Sequence, residues 1–330
     1  MSDRIPATPP VIEPVEAGIA RPLFSVMIPS YNCMAYLKKT IESVLVQDMG
    51  AAKMQIEVVD DCSRDGDIKK LVNEVGKGRV GFFQQPQNKG SLRNFETCLN
   101  RATGYYVHLL HGDDLVKPGF YSEIEALFST HPTAGMALTN YNWINADEEE
   151  SKPTRQLLAA PGIIDNWLYK IASKQLIQPP AVVVKRAVYE HLGSFFAVHY
   201  GEDWEMWTRI AAHYDVAYSP NCLATYRGGH NTNISSQAVL SGQNIVDLKK
   251  VIRIIQEYLP AGKRRELKNE AKKNFSTSFA KSSYRLYTQK KSDAAALQLA
   301  KGALQLHRNP RTLYWCGRFF LARLKDNMGF

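Results

Sequence analysis

The chain has 330 residues, of which 45% are hydrophobic and 22% are charged, with 21 glycines and 5 cysteines. These values exclude an intrinsically disordered chain, a collagen-like chain and a disulfide-rich scaffold. The net charge of +9 is uneven, because residues 241–330 hold 19 Lys and Arg against 6 Asp and Glu, whereas residues 1–240 are slightly acidic. A basic C-terminal quarter suits nucleic acid, an anionic membrane surface, an acidic partner or a well-solvated helical segment.

The N-terminal residues and the cysteines bear on the cellular compartment. Residues 1–20 contain acids and prolines without an apolar run, so they lack the features of a secretory signal, and we expect a mobile arm there. No CxxC pair occurs, which argues against a zinc knuckle or a disulfide framework and favours a reduced, cytoplasmic compartment. No uncharged apolar stretch reaches the ~18 residues that a membrane-spanning helix needs.

Short apolar runs alternate with segments of helical periodicity in the first third of the chain. Strands are predicted at residues 23–29, 55–60, 80–84 and 105–110, and helices at residues 34–47, from residue 67, and near residues 92–102. This alternation predicts right-handed βαβ units and a mostly parallel sheet. Three polar groups follow predicted strands, namely Pro29-Ser30-Tyr31, Asp60-Asp61 and Asp113-Asp114. We expect them along one rim, because ligands of such sheets bind beyond the carboxyl ends of the strands.

The remaining chain is less regular. Further strands are predicted at residues 134–140, 181–184, 216–218 and 224–227, and a tryptophan-containing helix at residues 203–214. From about residue 236 only helical periodicity remains. We therefore divide the chain into a mobile arm (1–20), an α/β domain (21–238) and a basic helical subdomain (239–330).

Asp113 and Asp114 carry the strongest chemical signal. Gly112 gives the backbone room before them, and paired carboxylates after a strand suit a hard divalent cation that shares its coordination with phosphate oxygens and water. The structural alternative is that the pair solvates a turn or caps the next helix.

Asp60 and Asp61 have two interpretations. An ionised carboxylate at this rim is a good acceptor for a nucleobase N–H or a ribose hydroxyl. The structural alternative makes them turn residues, with Asp61 or Ser63 as the N-cap of the next helix. Tyr31 is a candidate for stacking on the same base, although packing also explains a tyrosine at a strand end.

Asp203 and His230 are the remaining candidates. Asp203 lies beside Trp204 and Trp207, where partial desolvation would suit a general base. Its alternative role is the N-cap of its helix, with Glu202 favouring the helix dipole. His230 follows Arg227 and two glycines, and it is a candidate metal or phosphate ligand, whereas a solvated loop histidine is the structural alternative.

Common motifs for other enzyme classes are absent from the sequence. No GxGxxG follows the first predicted strand, and GxxxxGK[ST], HExxH and GxSxG do not occur. Dinucleotide oxidoreductases, P-loop kinases, zinc proteases and serine hydrolases are thereby disfavoured.

Four blocks occur in order along residues 23–235: SVMIPSYN with its helix, EVVDDCSRDG, the run from NKGSLRN to HLLHGDD, and the run from LGSFF to YRGGH. Together they resemble an inverting family-2 glycosyltransferase. The resemblance implies the GT-A fold, a Rossmann-like, mostly parallel sheet flanked by helices, here followed by a C-terminal helical subdomain. It also implies a divalent cation, Mn²⁺ or Mg²⁺.

Residue roles follow from the same resemblance. It implies that Asp203 is the catalytic base and that Asp114 ligates the metal, with His230 as the further candidate ligand. The residues implied to bind the nucleotide sugar are Pro29, Ser30, Tyr31, Asp60, Asp61, Asn88, Gly90, Arg93, Asn94 and Asp113, the last facing the ribose. Two features depart from the family pattern. His111 stands where many relatives have an acid, which implies more dependence on Asp114, and the segment from Asn88 to Asn94 is shorter than usual.

The implied activity is transfer of a sugar from a nucleoside-diphosphate sugar, with UDP-sugar as the prior, to a hydroxyl of a saccharide or lipid-linked acceptor in polysaccharide or glycoconjugate synthesis. The alternatives are a sugar-phosphate nucleotidyltransferase, which would need a Gly-rich basic loop after the first strand, and a nucleic-acid-binding protein that uses the basic tail. No nucleic-acid partner is expected for the acidic rim.

The C-terminal helices have two interpretations. They pack on the first domain or on a second copy in a homo-oligomer, or an interfacial helix near residues 311–326 makes a peripheral contact with the inner face of a membrane.

Overall fold

The computed structural model describes residues 4–228 and 234–328. The chain divides into two compact units, of which the first comprises Met1–Trp167 and Ile177–Thr232, and the second Leu168–Leu176 and Asn233–Phe330. The predicted boundary at residues 238/239 differs from this division, because it falls inside a helix, Ile234–Ser241, of the second unit.

The first unit is built on one mixed sheet. Its strands within the described residues are β1 (Phe24–Ser30), β2 (Met54–Asp60), β3 (Gly81–Gln84), β4 (Tyr106–Leu109), β5 (Leu115–Val116), β6 (Ala134–Ile144), β7 (Gly162–Ile163), β8 (Val182–Lys185) and β9 (Asp215–Arg227). The strand order is β3-β2-β1-β4-β8-β6-β9-β5, and β7 pairs with β9. The pairs β3–β2, β2–β1, β1–β4 and β6–β9 are parallel, and the others are antiparallel.

Helices connect these strands and form the second unit. They are α1 (Met34–Leu45), α2 (Ile68–Gly76), α3 (Ser91–Arg101), α4 (Phe120–Thr130), α5 (Trp167–Ser173), α6 (Arg186–Leu192), α7 (Glu202–Ala211), α8 (Ile234–Ser241), α9 (Gln243–Ile254), α10 (Ala261–Thr288), α11 (Asp293–Leu306) and α12 (Pro310–Met328). Short 3₁₀ turns occur at Pro179–Ala181 and Ile255–Tyr258.

The central strands are mostly apolar and largely buried because both faces of the sheet are covered. All seven residues of β1 are buried, and the core on which it packs includes side chains of α1, α2 and α4. The parallel register pairs Ser30 with Asp60 and Asp60 with Gln84. The carboxyl ends of β1, β2 and β3 therefore meet at one edge, which we call the rim.

The predicted fold class is confirmed, and each of the first four predicted strands exists to within two residues of its predicted ends. The prediction of separate strands at residues 216–218 and 224–227 is wrong, because Pro220 marks no turn. β9 continues past it with register shifts against β6 between Thr139 and Tyr141. Five elements of the structure were not predicted from the sequence, namely β5, β7, α4, α5 and α6.

The N-terminal segment departs from the expected mobile arm. Ile12 is 1% exposed, and the carbonyls of Pro6 and Pro10 accept hydrogen bonds from Ala197 N at 2.9 Å and Ser194 N at 2.8 Å. Residues 4–13 thus have the contacts of an ordered segment. The prolines that suggested mobility instead hold an extended backbone whose carbonyls remain free to pair.

In the second unit, α10 packs with α11 and α12. Asn309 begins α12 as its cap, because its Oδ1 accepts the N–H of Thr312 at 3.1 Å and Pro310 occupies the first helical position. The Asn309 amide also donates to Ser276 Oγ of α10 at 3.1 Å. Among the described residues, we find no helix with the length and apolarity needed to cross a bilayer.

A buried ion pair fixes α7 to the segment before it. Glu205 and Arg209 are 0% and 4% exposed, their side chains meet at 3.0 Å and 3.1 Å, and Arg209 also donates to Ser194 O at 3.0 Å. Removing one partner leaves the other charge buried and uncompensated, which costs about 3–5 kcal/mol.

We therefore predict that Arg209→Met lowers the free energy of unfolding by about 3 kcal/mol or more in urea denaturation. The control is Lys38→Met, which removes an exposed pair with Glu42 at 3.8 Å and should cost less than about 0.5 kcal/mol. Equal costs for the two variants would show that the buried pair does not stabilise this segment.

Candidate functional site

The loops that follow β1, β2 and β4 are joined at the rim by backbone hydrogen bonds. Asp61 N donates to Ser30 O at 2.8 Å, and Gly112 N donates to Pro29 O at 3.1 Å. A Cβ on Gly112 would lie 2.7 Å from Cys33 Sγ and 3.2 Å from Pro29 O. A glycine is therefore required where the β4 loop passes the end of β1, and this approach brings the predicted polar groups together.

Asp60 is fully buried, and its carboxylate is used within the rim. It accepts hydrogen bonds from Ser63 N at 2.9 Å, Ser63 Oγ at 2.5 Å and Gln84 Nε2 at 3.2 Å. The structural alternative from the sequence applies to this residue in part, because Asp60 closes the turn after β2. The N-cap of α2 is neither Asp61 nor Ser63 but Asp67, which accepts the N–H of Lys70.

Asp61 faces the turn before α3. Its carboxylate accepts the N–H of Lys89 at 2.7 Å, the N–H of Gly90 at 2.8 Å and the amide of Asn88 at 2.8 Å. Gly90 allows this turn, since its φ of 91° lies in the left-handed region. Burial raises the pKa of Asp61 above its usual value, while these N–H donors and the positive charge of Arg4 act in the opposite direction.

The loop after β1 presents one aromatic ring to solvent. Tyr31 is 48% exposed, whereas Ser30 and Pro29 are buried beneath it. Asn32 links this loop to the loop after β2, because its N–H donates to Ser63 Oγ at 2.9 Å and its Oδ1 accepts from Arg64 N at 2.8 Å. Tyr31 and Asp61 therefore lie on two loops that are held together.

Two predicted nucleotide-sugar residues on α3 have local partners instead. Arg93 forms an ion pair with Glu96 at 2.8 Å. Asn94 is 2% exposed, and its amide donates to Val59 O of β2 at 2.8 Å and accepts from Gln85. Asn94 thus fastens α3 to β2 beside the rim.

His111, Asp113 and Asp114 form a candidate metal cluster. One ligand atom from each lies within 4.8 Å of the others. Partial burial lowers the pKa of His111 despite the neighbouring Asp113, and the ring stacks on Phe95 with 5.2 Å between centroids. A neutral imidazole with two carboxylates is a donor set that suits a divalent cation such as Mn²⁺.

Asp114 is the most buried acid of this cluster. Asp114 is 1% exposed; its Oδ1 accepts the N–H of Arg227 at 2.8 Å, and its Oδ2 is buried without a hydrogen-bond partner. Burial and the nearby Asp113 raise the pKa of Asp114. Since a buried carboxylate oxygen without a partner is unfavourable, the residues present fit a bound cation.

Arg227 contacts both acidic residues of this cluster. It is 1% exposed, its Nε donates to Asp113 O at 2.8 Å, and its Nη1 pairs with Glu148 at 2.7 Å. The guanidinium also lies over the ring of Tyr36 at 4.5 Å. The sequence alone does not reveal these contacts of Arg227 with Asp113 and Asp114, because the residues are more than 100 positions apart.

Asp203 lies in the first turn of α7, after Gly201, which is the N-cap with φ of 85°. Its Oδ1 accepts the N–H of Trp204 at 2.7 Å. Burial, together with the Asp203 and Glu202 carboxylates, raises the pKa of Tyr200 to about 12. Burial and Asp203 also raise the pKa of Tyr141. Both hydroxyls therefore stay protonated beside Asp203.

A small cavity connects Asp203 with the metal cluster. It has a volume of about 10 Å³, and it is lined by Phe95, Leu109, His111, Pro179, Val182, Tyr189, Phe195, Glu202, Asp203 and Trp207. The candidate base and the candidate metal ligand His111 thus line the same cavity, which has room for about one water molecule. His230, the other predicted metal ligand, lies outside the described residues.

The structure resembles solved glycosyltransferases. Residues 1–349 of S. aureus TarS in complex with UDP-GlcNAc align with a TM-score of 0.64 at 16% identity, over 93% of this chain and 92% of that chain. The mannosyltransferase PcManGT from Pyrobaculum calidifontis, in complex with GDP-Man and Mn²⁺, aligns with a TM-score of 0.55 at 19% identity, over 97% of this chain and 89% of that one. At these identities the likeness shows the fold, which is GT-A.

Sequence comparison gives the family. TuaG of Bacillus subtilis strain 168, a glycosyltransferase by name, is 29% identical over 223 residues, which are 66% of this chain and 83% of TuaG. The model of glycosyl transferase family 2 matches residues 25–193, about half of the chain. The chain therefore belongs to glycosyl transferase family 2 and is a glycosyltransferase.

Proposed function

We propose that the protein is a metal-dependent, inverting glycosyltransferase that moves a sugar from a nucleoside-diphosphate sugar to an acceptor hydroxyl. The observation that carries this proposal is the buried, unpartnered Oδ2 of Asp114 within a three-residue ligand cluster. The cavity shared by His111 and Asp203 supports it, since the base and the cation would then act on the same reacting centre.

The donor nucleoside is assigned to the rim. Asp61 lies at the carboxyl end of β2, where an ionised carboxylate can accept a base N–H, and Tyr31 offers an exposed ring for stacking. Pro29, Ser30, Asn88, Gly90, Arg93 and Asn94 stay predicted parts of this donor site, with Asp113 facing the ribose. TarS with UDP-GlcNAc and PcManGT with GDP-Man are similar folds with nucleotide-sugar donors, and a UDP-sugar is our expected donor.

Asp114 would hold a divalent cation together with His111 and Asp113, and His230 stays a predicted further ligand. When bound, Mn²⁺ or Mg²⁺ supplies positive charge against the diphosphate of the donor. The position of His111 beside Asp113 and Asp114 supports it as an additional ligand, although its place in the sequence had implied more dependence on Asp114. The neutral imidazole adds a ligand without adding negative charge.

Asp203 is the proposed general base. Its carboxylate accepts the proton of an acceptor hydroxyl while the hydroxyl oxygen attacks the anomeric carbon. The bond from that carbon to the diphosphate oxygen breaks on the opposite side, and the nucleoside diphosphate leaves with the electron pair. One base is sufficient, because a diphosphate leaves without protonation, whereas glycosidases need a second carboxyl group as an acid.

The acceptor is proposed to be a saccharide or a lipid-linked saccharide of a surface polymer. The name of TuaG assigns that relative to teichuronic acid biosynthesis, and the chain is similar to it over two thirds of its length. This relation supports a polysaccharide or glycoconjugate pathway for this chain.

We predict that Asp203→Asn lowers kcat by about 10²–10⁴-fold, because an amide cannot take the acceptor proton. Nucleotide affinity should change less than about twofold, measured by calorimetry with UDP and Mn²⁺. Asp165→Asn, an exposed site in the same unit, is the matched control and should keep normal transfer. Near-normal transfer by Asp203→Asn with intact binding would assign the base to another residue.

We also propose that α12 contacts a membrane surface. Two rows run along this helix at seven-residue spacing, which is close to two helical turns. Tyr314, Leu321 and Met328 form an apolar row, each between 57% and 62% exposed. Arg311, Arg318 and Lys325 form an exposed basic row beside it. Leu313 and Leu324 extend the apolar face, at 50% and 53% exposure.

An anionic lipid surface fits both rows. The apolar side chains would enter the headgroup boundary, while the basic side chains would contact anionic headgroups. Phe319, by contrast, is fully buried, so the inner face of α12 is already covered. The position agrees with the interfacial helix expected near residues 311–326.

We predict that the protein floats with vesicles containing phosphatidylglycerol but not with pure phosphatidylcholine vesicles. The double variant Leu321→Gln/Leu324→Gln should weaken this binding at least about tenfold, because each change replaces an apolar side chain at the headgroup boundary with a polar amide. Val246→Gln, at a 60% exposed site on α9, is the control. Flotation that ignores anionic lipid, or that survives the double variant, would contradict the proposal.

A further inference from the structure

The N-terminal residues 4–13, which we call the strap, run between two parts of the candidate site. One end contacts the turn at residues 88–90 that holds Asp61, and the middle contacts residues 193–197 ahead of α7. Residues 1–20 were predicted to be a mobile arm, so neither contact was expected. Its position raises the question of what these contacts do.

Arg4 is the residue at the first end. Its Nη2 donates to Asn88 Oδ1. A Cβ on Gly90 would lie 2.9 Å from Arg4 Nε and 3.5 Å from Arg4 Cβ, so the arginine stem covers the Gly90 backbone. Asn88 in turn donates from Nδ2 to both Asp61 Oδ2 at 2.8 Å and Asp61 O at 3.0 Å. Arg4 therefore fixes which way the Asn88 amide points.

The middle of the strap holds the approach to α7. Pro6 O accepts the N–H of Ala197, and Pro10 O accepts the N–H of Ser194. Ala197 has φ of 73°, an unfavourable conformation for a residue with a Cβ. A Cβ on Gly193 would lie 2.7 Å from Pro10 O, so the strap packs directly on this backbone. This segment leads into the helix that carries Asp203.

The second end anchors the strap. Ile12 is 1% exposed, and Glu13 O accepts a hydrogen bond from Arg186 Nη2 at 3.0 Å. Glu13 N donates to Asn100 Oδ1 at 3.3 Å. These contacts exist without any ligand. They offset the conformational entropy that is lost when the strap, and Arg4 with it, is held in place.

We propose that the strap is part of the donor site, with Arg4 as a positioning residue that holds Asn88 and the turn at residues 88–90 against Asp61. The role in donor binding rests on the proposed function, whereas the positioning of the turn does not. Arg4 acts through Asn88 and touches no reacting atom in this account.

The charge of Arg4 adds to this effect. Burial raises the pKa of Asp61 and Asp60 acts in the same direction, whereas Arg4 favours the ionised carboxylate. Only the ionised form can use both oxygens as acceptors for the turn and for a nucleobase N–H. Loss of the guanidinium should thus weaken both the turn and the nucleotide site.

The first test uses the ligand-free protein and so is independent of any donor. In hydrogen–deuterium exchange, Arg4→Ala should speed exchange of the Lys89 and Gly90 amides several-fold, because both N–H groups donate to Asp61. Lys53→Ala, an exposed cation just before β2 at the opposite edge of the sheet, is the matched control and should leave these amides unchanged. Unchanged exchange in Arg4→Ala would overturn the positioning role.

The second test measures donor binding and turnover. Arg4→Ala should raise the Kd for UDP with Mn²⁺ and the donor KM about three- to tenfold, with kcat at saturating donor within about twofold. Arg4→Lys should recover part of the affinity, because it keeps the charge but loses the planar fork. Deletion of residues 2–5 should match Arg4→Ala, since it leaves Pro6, Pro10 and Ile12 in place.

Three results would overturn the proposal. Tighter UDP binding in Arg4→Ala would mean that the strap blocks the pocket. If kcat and the melting temperature both fell in Arg4→Ala, and Arg4→Lys restored neither, Arg4 would only stabilise the fold. If hydrogen–deuterium exchange at residues 89 and 90 changed while the Kd for UDP did not, Arg4 would order the turn without contributing to the donor site. Failure of the unsubstituted protein to bind any nucleotide would instead contradict the proposed function, while the exchange result would still report on Arg4.

Discussion

A carboxylate held out of water is the constraint around which the site is organised. Asp114 is 1% exposed, one of its oxygens is bonded to the Arg227 N–H, and the other has no partner. Such a group is unfavourable in a folded protein unless a proton or a cation compensates it. In the proposed site a divalent cation compensates this carboxylate, and Arg227 contacts both Asp113 and Asp114.

The two acidic pairs divide their tasks in the same way. The Asp60 carboxylate accepts hydrogen bonds from Ser63 and Gln84 and closes the turn. Asp61, the next residue, faces the segment at residues 88–90. In the other pair, the main chain of Asp113 is tied to Arg227, while its side chain joins the cluster with Asp114. One residue of each pair thus fixes its loop, Asp60 through its side chain and Asp113 through its main chain.

Local patterns were sufficient to predict the α/β sheet, and parallel topology predicted Asp61 and Asp114 at one rim because both follow apolar strands. The GT-A fold and the proposed role of Asp203 needed the resemblance to a known family. Arg4 and His111 could not be found in this way, because their roles depend on contacts with Asn88 and Phe95 that only the folded chain creates. The contact of Asn94 with β2 was not predicted, because helical periodicity does not show that its amide turns toward β2. Residues 216–218 and 224–227 were predicted as two strands, whereas bulges against β6 let one strand continue through them.

The most direct measurement of the central claim is calorimetric binding of UDP, GDP, dTDP and CDP, each with Mn²⁺ and then with excess chelator. We predict that one nucleotide binds only when the metal is present and that Asp114→Ala, which removes the buried ligand, abolishes this binding. Asp165→Ala, at an exposed acid in the same unit, should bind normally. Nucleotide binding that persists in chelator, or in Asp114→Ala, would contradict a metal-dependent donor site at Asp114.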